Sequence, residues 1–509
     1  MSTLSLASVL AGSARRCGDH IGLIEGDKRI TYSRLWAEAL AQAAALERLG
    51  VRPGDRVALM CPNTVEFPRA YYAILAAGAV VVPVHLLLRA EETEYVLRDS
   101  GARLLLCHSA CAEVGGQAAR AAGVRMVTVG PQAPDLGADA HLEDVAEAGS
   151  PLPTFVTRAP GDPAVVFYTS GTSGQSKGAV LSHLNLIMNA TICAFDTHDY
   201  RRDDIALGAL PLFHTFGQSV SMNTLFRLGG TLVLMPRFDP AAAIELMVAE
   251  NVTVFHGVPT MYRALTQAAA HASALPRLRL CLSGGASLPG PVLEEFNTTF
   301  DASIYEGYGL SETSPVATVN QPAYGTRVGT VGHPLWGVDV EIARAESEGI
   351  ELLPTGELGE IVVRGHNVFN GYLDRPAESA KALVDDWFRT GDLGTKDDEG
   401  FVTIVDRVKD MIIRNGFNVY PSEVEEVLLR HPGVAEVAVI GLPDEECGEE
   451  VCAVVVADED QVPTAEEVLE FGRERMGAHK YPRRVEFVKE LPLGPSMKVL
   501  KRVLRDRFS

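Results

Sequence analysis

Residues 164–178 read AVVFYTSGTSGQSKG, an apolar run followed at once by a segment rich in glycine and hydroxyl side chains. The apolar run has the length and composition of a buried β-strand. In the segment after it, glycines allow backbone N–H groups to converge on phosphate oxygens, hydroxyls add donors, and a lysine adds positive charge. We therefore predict a phosphate-binding loop made of Thr169, Ser170, Gly171, Thr172, Ser173, Gly174 and Lys177.

The spacing of this loop argues against two common nucleotide-binding motifs. No Gly-Lys-[Ser/Thr] triplet follows at the distance that a Walker A loop requires, and the G-x-G-x-x-G pattern of dinucleotide-binding proteins is missing. P-loop kinases and Rossmann dehydrogenases are therefore disfavoured. From this segment alone, a flexible Ser/Gly connection remains the alternative.

The chain around the loop alternates short β-rich runs with helical stretches, which predicts an α/β fold with parallel sheets. The same alternation up to about Val129 predicts a second, similar half. After about Gly325, glycine and proline separate short strands, which predicts a β-rich subdomain, and a compact α+β stretch follows from Asp410. Between about residues 162 and 320 the predicted strands are Ala164–Thr169, Ile205–Leu210, Thr231–Met235, Val252–Phe255, Leu278–Leu282 and Ser303–Tyr305.

Composition narrows the classes of function. The 509 residues carry a formal net charge of −21, which argues against a nucleic-acid binder, so a phosphate-bearing ligand must be held locally. The segment 477–509 has the opposite balance, with nine Lys or Arg against three Asp or Glu. Eight scattered cysteines without paired spacing, and an N-terminus without a signal-peptide pattern, predict a cytoplasmic protein.

Residues Ala70–Leu88 contain no charged side chain and are long enough to suggest a membrane span. Gly78, Pro83 and His85 interrupt this stretch. We predict instead a buried helix, a turn at Gly78 and a buried strand, with no span across a membrane.

Together with four later motifs, the loop resembles that of the AMP-forming adenylating superfamily, which comprises acyl-CoA synthetases, carrier-protein adenylation domains and beetle luciferase. The resemblance extends from about residue 20 to the C-terminus, and the motifs follow in the superfamily's order. They are Tyr168–Gly178, Tyr308-Gly-Leu-Ser-Glu312, Thr390-Gly-Asp392, Asp406–Glu425 and Leu491–Lys498. Among its members, the chain looks most like bacterial medium- and long-chain fatty acyl-CoA ligases.

The resemblance implies a site for ATP and Mg²⁺. Glu312 beside a phosphate loop would repel ATP unless a cation lay between them, so Mg²⁺ held by Glu312 and Thr169 is expected. The implied catalytic residues are Lys498, His214, Thr169 and Glu312. The implied ATP and AMP contacts outside the loop are Gly284, Gly285, Ala286, Glu306, Gly307, Tyr308, Gly309, Ser311, Asp392, Ile404 and Arg407. Asp392 and Arg407 correspond to ribose contacts, and Tyr308 corresponds to a platform for adenine.

By the same resemblance, the reaction has two halves. A carboxylate attacks ATP to give an acyl-adenylate and pyrophosphate, and the thiol of CoA then attacks the acyl carbonyl and releases AMP. Lys498 is implied to neutralise charge in the first half. The implied organisation is an N-terminal adenylate-forming domain at 1–405, a hinge at 406–409 that pivots at Lys409, and a C-terminal lid domain at 410–509. Arg414, Gly416 and Phe417 are implied to line the path of the pantetheine arm.

The implied acyl pocket contains His214, Phe216, Gly217, Val258 and Ser314. Amino-acid-activating relatives commonly carry aspartate at the position of His214, so an amino acid substrate is disfavoured. The apolar character of 210–222 and 257–261 favours a fatty or alicyclic acid. An aromatic or terpenoid acid and a carrier protein in place of CoA stay open, as does a homodimer; luciferase-like oxidation and an inactive nucleotide-binding scaffold are less favoured.

Three residues depart from the superfamily's pattern. Ser176 stands where a proline commonly precedes the loop lysine, and Ser311 replaces a threonine but keeps the hydroxyl. Met497 stands where a glycine usually precedes the adenylation lysine. The Met497 side chain is expected to restrict how Lys498 is delivered to the site.

Overall fold

The computed structural model describes residues 2–132, 137–169, 176–345, 347–415, 417–444, 447–458, 461–494 and 499–509. Their internal contacts divide the chain into two compact units. The large unit comprises 1–328, 332–340 and 363–388, and the small unit comprises 329–331, 341–362 and 389–509. The hinge at 406–409 and the domain limits drawn from the sequence stay predictions.

The first sheet of the large unit holds the strand that leads into the phosphate loop. Its neighbours run parallel to it, except for the last strand, which returns as a hairpin. In spatial order the strands are Ala140–His141, Arg125–Val129, Leu104–His108, Arg56–Met60, Val80–Pro83, Pro163–Thr169 and Lys177–Ser182. Helices Tyr32–Arg48, Glu66–Ala76, Ala90–Asp99, Ala112–Ala122 and Leu142–Glu147 belong to this half.

The second sheet of the large unit is parallel in its centre and antiparallel at both edges. In spatial order its strands are His333–Pro334, Val316–Val319, Ile304–Gly309, Leu280–Ser283, Val254–Gly257, Ile205–Gly208, Thr231–Leu234, Ile21–Glu25 and Lys28–Thr31. Helices Pro259–Ala269 and Gly290–Phe300 cover it, and Phe255, Tyr262 and Phe296 fill the core between them. Burial of such aromatic side chains from water is the main term that holds these layers together.

The remaining helices of the large unit are Ser8–Cys17, His183–Ile192, Thr224–Leu228, Pro240–Ala249 and Pro376–Ala382, with π-helical turns at Cys193–Thr197 and Phe216–Asn223 and short 3₁₀ turns at Ser109–Cys111 and Ser311–Thr313. The π-helical turn at 216–223 follows the segment that carries His214. Turns of this kind are often found at functional sites.

The small unit contains an antiparallel strand pair and an α+β region. Strand Trp387–Lys396 pairs antiparallel with Val402–Arg407 from Asp392 onward. Three short strands precede this pair in the chain. Leu383–Val384 belongs to the large unit, whereas Val338–Ala343 and Gly359–Gly365 each include residues of both units. The α+β region has strands Phe417–Val419, Ile412–Arg414, Gly448–Ala457, Val434–Asp444 and Arg484–Phe487, with helices Pro421–Leu428, Ala465–Arg475 and Lys501–Phe508.

Residues Ala70–Leu88 have the predicted arrangement. Helix Glu66–Ala76 ends before Gly78, which has φ = +74°, and strand Val80–Pro83 follows. A positive φ is accessible to glycine because it has no Cβ, so the chain can reverse there. Within the described residues, no helix is both long and apolar enough to cross a bilayer.

The structure corrects the predicted grouping of strands. Ala164–Thr169 was assigned to the second half, but it joins the first sheet beside Val80–Pro83. The second sheet gains Ile21–Glu25 from the N-terminal end of the chain. Local apolar patterns predict that a strand exists, whereas long-range packing decides which sheet it joins.

Candidate active site

The two ends of the predicted phosphate loop lie side by side. Strand Pro163–Thr169 pairs antiparallel with Lys177–Ser182, and Thr169 stands directly opposite Lys177. Thr169 and Lys177, which bracket the loop, are therefore neighbouring residues on adjacent strands. Ser170, Gly171, Thr172, Ser173 and Gly174 lie outside the described residues.

Glu312 faces this hairpin from a short turn, Ser311–Thr313, that follows strand Ile304–Gly309. Its Oε1 accepts hydrogen bonds from Thr169 Oγ1 at 3.4 Å and from the hydroxyl of Tyr372 at 2.9 Å. Lys177 Nζ lies 5.4 Å from the centroid of the Tyr372 ring. The structure thus brings together Thr169, Lys177 and Glu312 as the sequence predicted, and adds Tyr372, which the sequence analysis missed.

The oxygen atoms at this position fit a hard cation. A carboxylate and a hydroxyl are ligands that Mg²⁺ prefers, and Mg²⁺ in nucleotide sites usually takes its other ligands from phosphates and water. In the described part of the chain, no group of three or more His, Cys, Asp or Glu residues is placed to hold a metal ion. A Mg²⁺ ion at Glu312 and Thr169 would take its other ligands from phosphates and water, as is usual for Mg²⁺ in nucleotide sites.

A glycine-rich strip follows strand Leu280–Ser283. A Cβ added to Gly284 would lie 3.3 Å from the Phe216 ring and 3.4 Å from the carbonyl oxygen of Gly307. Gly285 has φ = +84°, and Ala286 next to it is exposed. Gly284, Phe216 and strand Ile304–Gly309 are therefore in close contact.

Tyr308 and Glu306 occupy alternate positions on that strand and are both buried. The Glu306 carboxylate accepts a hydrogen bond from Leu288 N at 2.9 Å, and burial raises the pKa of Glu306 to about 7. Glu306 therefore ties the segment after the strip to the strand. Gly307 pairs with Val319, and a Cβ on Gly309 would overlap the Pro315 carbonyl, so both glycines allow close approach of backbone.

His214 lies in a turn just before the π-helical segment Phe216–Asn223. The backbone N–H of Phe216 donates to His214 Nδ1 at 3.3 Å. Because Nδ1 acts as an acceptor, a neutral His214 carries its proton on Nε2. Thr215 Oγ1 donates to Ser311 Oγ at 3.0 Å, which links this turn to the Glu312 turn.

The other predicted acyl-pocket residues differ in their surroundings. Gly217 has no room for a side chain, because a Cβ would come within 2.3 Å of the Pro211 carbonyl oxygen. Val258 is buried at the start of helix Pro259–Ala269. Ser314 donates to the Asn367 carbonyl oxygen at 2.8 Å, so its hydroxyl has a structural partner.

The small unit carries the predicted ribose contacts. Asp392 and Arg407 are directly opposite on paired strands, and Arg407 Nε lies 3.0 Å from Asp392 Oδ1. The Asp392 side chain is 5% exposed, whereas that of Arg407 is 40% exposed. Ile404 lies on the same strand as Arg407, opposite Gly394. The structure therefore brings the two predicted ribose contacts together as an ion pair.

The residues predicted to serve the hinge and the pantetheine path lie close together in the chain. Lys409 is exposed, and Arg414 forms a two-pronged ion pair with Glu450 at 2.6 and 3.0 Å. The Phe417 side chain is 57% exposed, with its ring centroid 5.2 Å from that of His479. Gly416 and Lys498, together with Met497, lie outside the described residues.

Comparison with known proteins decides the family. Residues 10–373 match the AMP-binding enzyme family, and residues 423–498 match the AMP-binding enzyme C-terminal domain. The chain belongs to the AMP-binding enzyme family. Its resemblance to the AMP-forming acyl-CoA synthetases is confirmed, and this AMP-binding enzyme is an acid–thiol ligase of that group.

Relatives of this AMP-binding enzyme include a long-chain-fatty-acid–CoA ligase of Bacillus subtilis strain 168, 34% identical, with 99% of this chain and 94% of the relative covered. A feruloyl-CoA synthase of an Amycolatopsis species is 38% identical over 95% of each chain. Among solved structures, ATP-bound MatB of Rhodopseudomonas palustris matches with a TM-score of 0.90 and 34% identity, covering 99% of each chain. The α/β architecture and smaller C-terminal region therefore follow this family's fold.

Proposed function

We propose that this protein is an ATP-dependent carboxylic acid:CoA ligase that activates a hydrophobic acid as its acyl-adenylate and transfers the acyl group to CoA. The observation that carries the proposal is the arrangement of Thr169, Lys177 and Glu312 at the ends of the phosphate loop. A hydroxyl, an ammonium and a carboxylate brought together beside a glycine-rich loop suit a metal-bound triphosphate better than any neutral ligand.

In the first half-reaction, a carboxylate oxygen of the acid attacks the α-phosphorus of ATP, and pyrophosphate leaves. The bond from the α-phosphorus to the bridging oxygen breaks as the new P–O bond forms, so no nucleophile of the protein is needed. Mg²⁺, which fits Glu312 and Thr169, would supply charge neutralisation for the phosphates. Lys177 and Lys498 are proposed to stabilise the negative charge that develops on phosphate oxygens.

In the second half-reaction, the CoA thiol attacks the acyl carbonyl, loses its proton and expels AMP. The pantetheine path is proposed to be bordered by Arg414, Gly416 and Phe417. Lys409 is proposed as the hinge at which the C-terminal domain turns between the two half-reactions. Two poses are needed because the lysine at 498 and the pantetheine arm serve different steps at the same acyl group. The exposed ring of Phe417 is consistent with such a role.

The residues that the resemblance implies for the adenosine part of ATP are proposed to bind its ribose and its adenine. Asp392 would accept hydrogen bonds from the ribose hydroxyls, with Arg407 holding the carboxylate in place. Tyr308 and the strip Gly284–Ala286 would border adenine.

The acid is proposed to be hydrophobic. Phe216 and Val258 offer apolar surface, and a histidine at position 214 supplies no fixed negative charge to pair with a substrate ammonium. One relative is named for long-chain fatty acids and another for ferulate, so both an aliphatic and an aromatic acid have support from similar proteins. We favour a medium- or long-chain aliphatic or alicyclic acid.

The test is pyrophosphate release over a panel of carboxylic acids, each with and without CoA. We expect release with C8–C16 fatty acids or alicyclic acids, and AMP release that depends on CoA. Higher activity with ferulate or benzoate would replace the aliphatic assignment by an aromatic one. Transfer to an acyl carrier protein but not to CoA would overturn the proposed acceptor.

A further inference from the structure

We propose that Tyr95, Asp99 and Arg375 are positioning residues that hold both ends of the phosphate loop, and so fix Thr169 and Lys177 for ATP. This inference rests on the proposed function, because it assigns a role to groups around the same site. None of the three residues belongs to the sequence motifs that mark the family.

The first end of the loop is held through Tyr168, the residue before Thr169. The Tyr168 hydroxyl donates to Asp99 Oδ2 at 2.8 Å, and Arg375 Nη2 lies 2.5 Å from Asp99 Oδ1. The Asp99 side chain is 13% exposed and has a partner on each oxygen.

The second end of the loop is held through Ser176, the residue before Lys177. The hydroxyl of Tyr95 donates to the Ser176 carbonyl oxygen at 2.9 Å. The Tyr95 ring also packs edge-on against the Tyr168 ring, with the two ring centroids 6.4 Å apart. One aromatic side chain therefore contacts both ends.

Tyr95 and Asp99 can act together because both belong to helix Ala90–Asp99 and stand four residues apart. Side chains at this spacing lie on the same face of an α-helix, one turn apart. The helix thus presents a phenol to one end of the loop and a carboxylate to the other. Its position is fixed by Val96 and Leu97, which are buried in the core of the first half.

Arg375 follows a segment that is hydrogen-bonded to the second strand of the hairpin. The segment 371–375 runs along strand Lys177–Ser182, with Leu373 N donating to the Gly178 carbonyl oxygen at 2.8 Å and Val180 N to that of Gly371 at 3.0 Å. The same segment carries Tyr372, which contacts Glu312. One docked segment therefore supports the predicted metal ligand and the end of the loop.

The charge balance explains why a carboxylate is tolerated near a phosphate site. An unpaired Asp99 would repel the triphosphate, but its ion pair with Arg375 and its hydrogen bond from Tyr168 neutralise and orient it. Contacts that hold Thr169 and Lys177 in place before ATP binds lower the entropic cost of ordering these two residues, so the contacts are expected to act on ATP affinity.

The experiment compares Tyr95→Phe, Asp99→Ala and Asp99→Asn with Asp339→Asn. Asp339 forms an exposed ion pair with Arg364 at 2.8 Å, so its replacement removes the same charge without touching the loop. Binding of Mg·ATP is measured by calorimetry without acid or CoA. Thioester formation from a supplied acyl-adenylate and the melting temperature are measured in parallel.

We expect the Kd for Mg·ATP to rise about fivefold in Tyr95→Phe, as the loss of one hydrogen bond predicts. Asp99→Ala should raise it more, and Asp99→Asn, which keeps an acceptor for Tyr168, should recover part of the loss. Thioester formation from acyl-adenylate should change less than twofold. Asp339→Asn should match the wild type.

Unchanged ATP affinity in both Tyr95→Phe and Asp99→Ala would overturn the inference. A fall in ATP binding and thioester formation in the same proportion, with a matching fall in melting temperature, would also overturn it, because that is the signature of a structural role alone. Because ATP binding needs no acid, failure of the proposed acid:CoA ligase activity would be recognised separately, in the wild type.

Discussion

The hydroxyl of Tyr372 donates a 2.9 Å hydrogen bond to Oε1 of Glu312, across 60 residues of sequence. Thr169 Oγ1 reaches the same oxygen at 3.4 Å. Burial, followed by the charge of Glu312, raises the pKa of Tyr372 well above its usual value, so Tyr372 stays a neutral donor. Glu312 is thereby held in one orientation beside the ends of the phosphate loop.

Replacing Tyr372 by phenylalanine should weaken this orientation without removing the ring that lies beside Lys177. A hydrogen bond to a carboxylate contributes about 1.5–3 kcal/mol, so we expect the rate of acyl-adenylate formation to fall at least tenfold. The Mg²⁺ concentration needed for half-maximal rate should rise as well. Pyrophosphate release titrated with Mg²⁺ measures both effects, and an unaltered Mg²⁺ dependence would contradict this role for Tyr372.

Gly284 should control how large an acid the protein accepts. An added Cβ would lie 3.3 Å from the ring of Phe216, a predicted acyl-pocket residue, so Gly284→Val would displace that ring. We expect kcat/KM for a C16 acid to fall at least tenfold more than that for a C4 acid, since overpacking typically costs about 1–3 kcal/mol. Gly161→Val is the control, because nothing lies within 4 Å of a Cβ there. An equal fall in kcat/KM for both acids would contradict a role of Gly284 in limiting the size of the acid.

Asp392→Asn should act on ATP rather than on the acid. The amide keeps the size of the side chain but removes the charge that pairs with Arg407 at 3.0 Å and is proposed to accept from ribose. We expect KM for ATP to rise about tenfold, the equivalent of one charge-assisted hydrogen bond, while KM for the acid changes little. Competition with 2′,3′-dideoxy-ATP gives the check: if Asp392 contacts ribose, the variant should lose its preference for ATP over the dideoxy analogue.

Stability should fall as the pH is lowered from 7 to 5. Burial lowers the pKa of His183 and His198 to about 4 and that of His256 to about 3. Below about pH 6.5 these histidines bind protons in the unfolded chain but stay neutral in the folded state. Each histidine therefore lowers the free energy of unfolding by about 2 kcal/mol at pH 5. Glu306 has the opposite effect, because its pKa of about 7 means that the folded state binds a proton more readily than the unfolded chain does. This raises the free energy of unfolding by about 2 kcal/mol at pH 5 relative to pH 7.

The net expectation is a loss of about 4 kcal/mol in the free energy of unfolding between pH 7 and pH 5. Urea denaturation followed by tryptophan fluorescence at the two pH values measures it. An equal or higher free energy of unfolding at pH 5 would show that these histidines are not held neutral in the folded state.

The sequence predicted the site best where its residues are neighbours in the chain. Thr169 and Lys177 flank one loop, and their opposition across a hairpin follows from that spacing. Asp392 and Arg407 were predicted through the resemblance, and they meet on paired strands. In each case a short motif carries most of the geometry.

The sequence analysis did not predict residues whose hydrogen-bond partners are far away in the chain. Tyr372 and Asp99 lie 60 and 69 residues from Glu312 and Tyr168, their respective partners, and no periodicity marks them. Both contacts depend on how a segment docks against the first sheet. The same cause explains why Ala164–Thr169 was assigned to the wrong sheet, since only tertiary packing fixes sheet membership.

The most direct test of the account is a single-turnover experiment with α-phosphate-labelled ATP, excess enzyme and an active acid. Without CoA, the label should appear in an acyl-adenylate with release of one pyrophosphate per turnover. Addition of CoA should then convert that species to AMP and acyl-CoA. Formation of labelled ADP, or release of pyrophosphate that does not depend on the acid, would contradict the proposed mechanism.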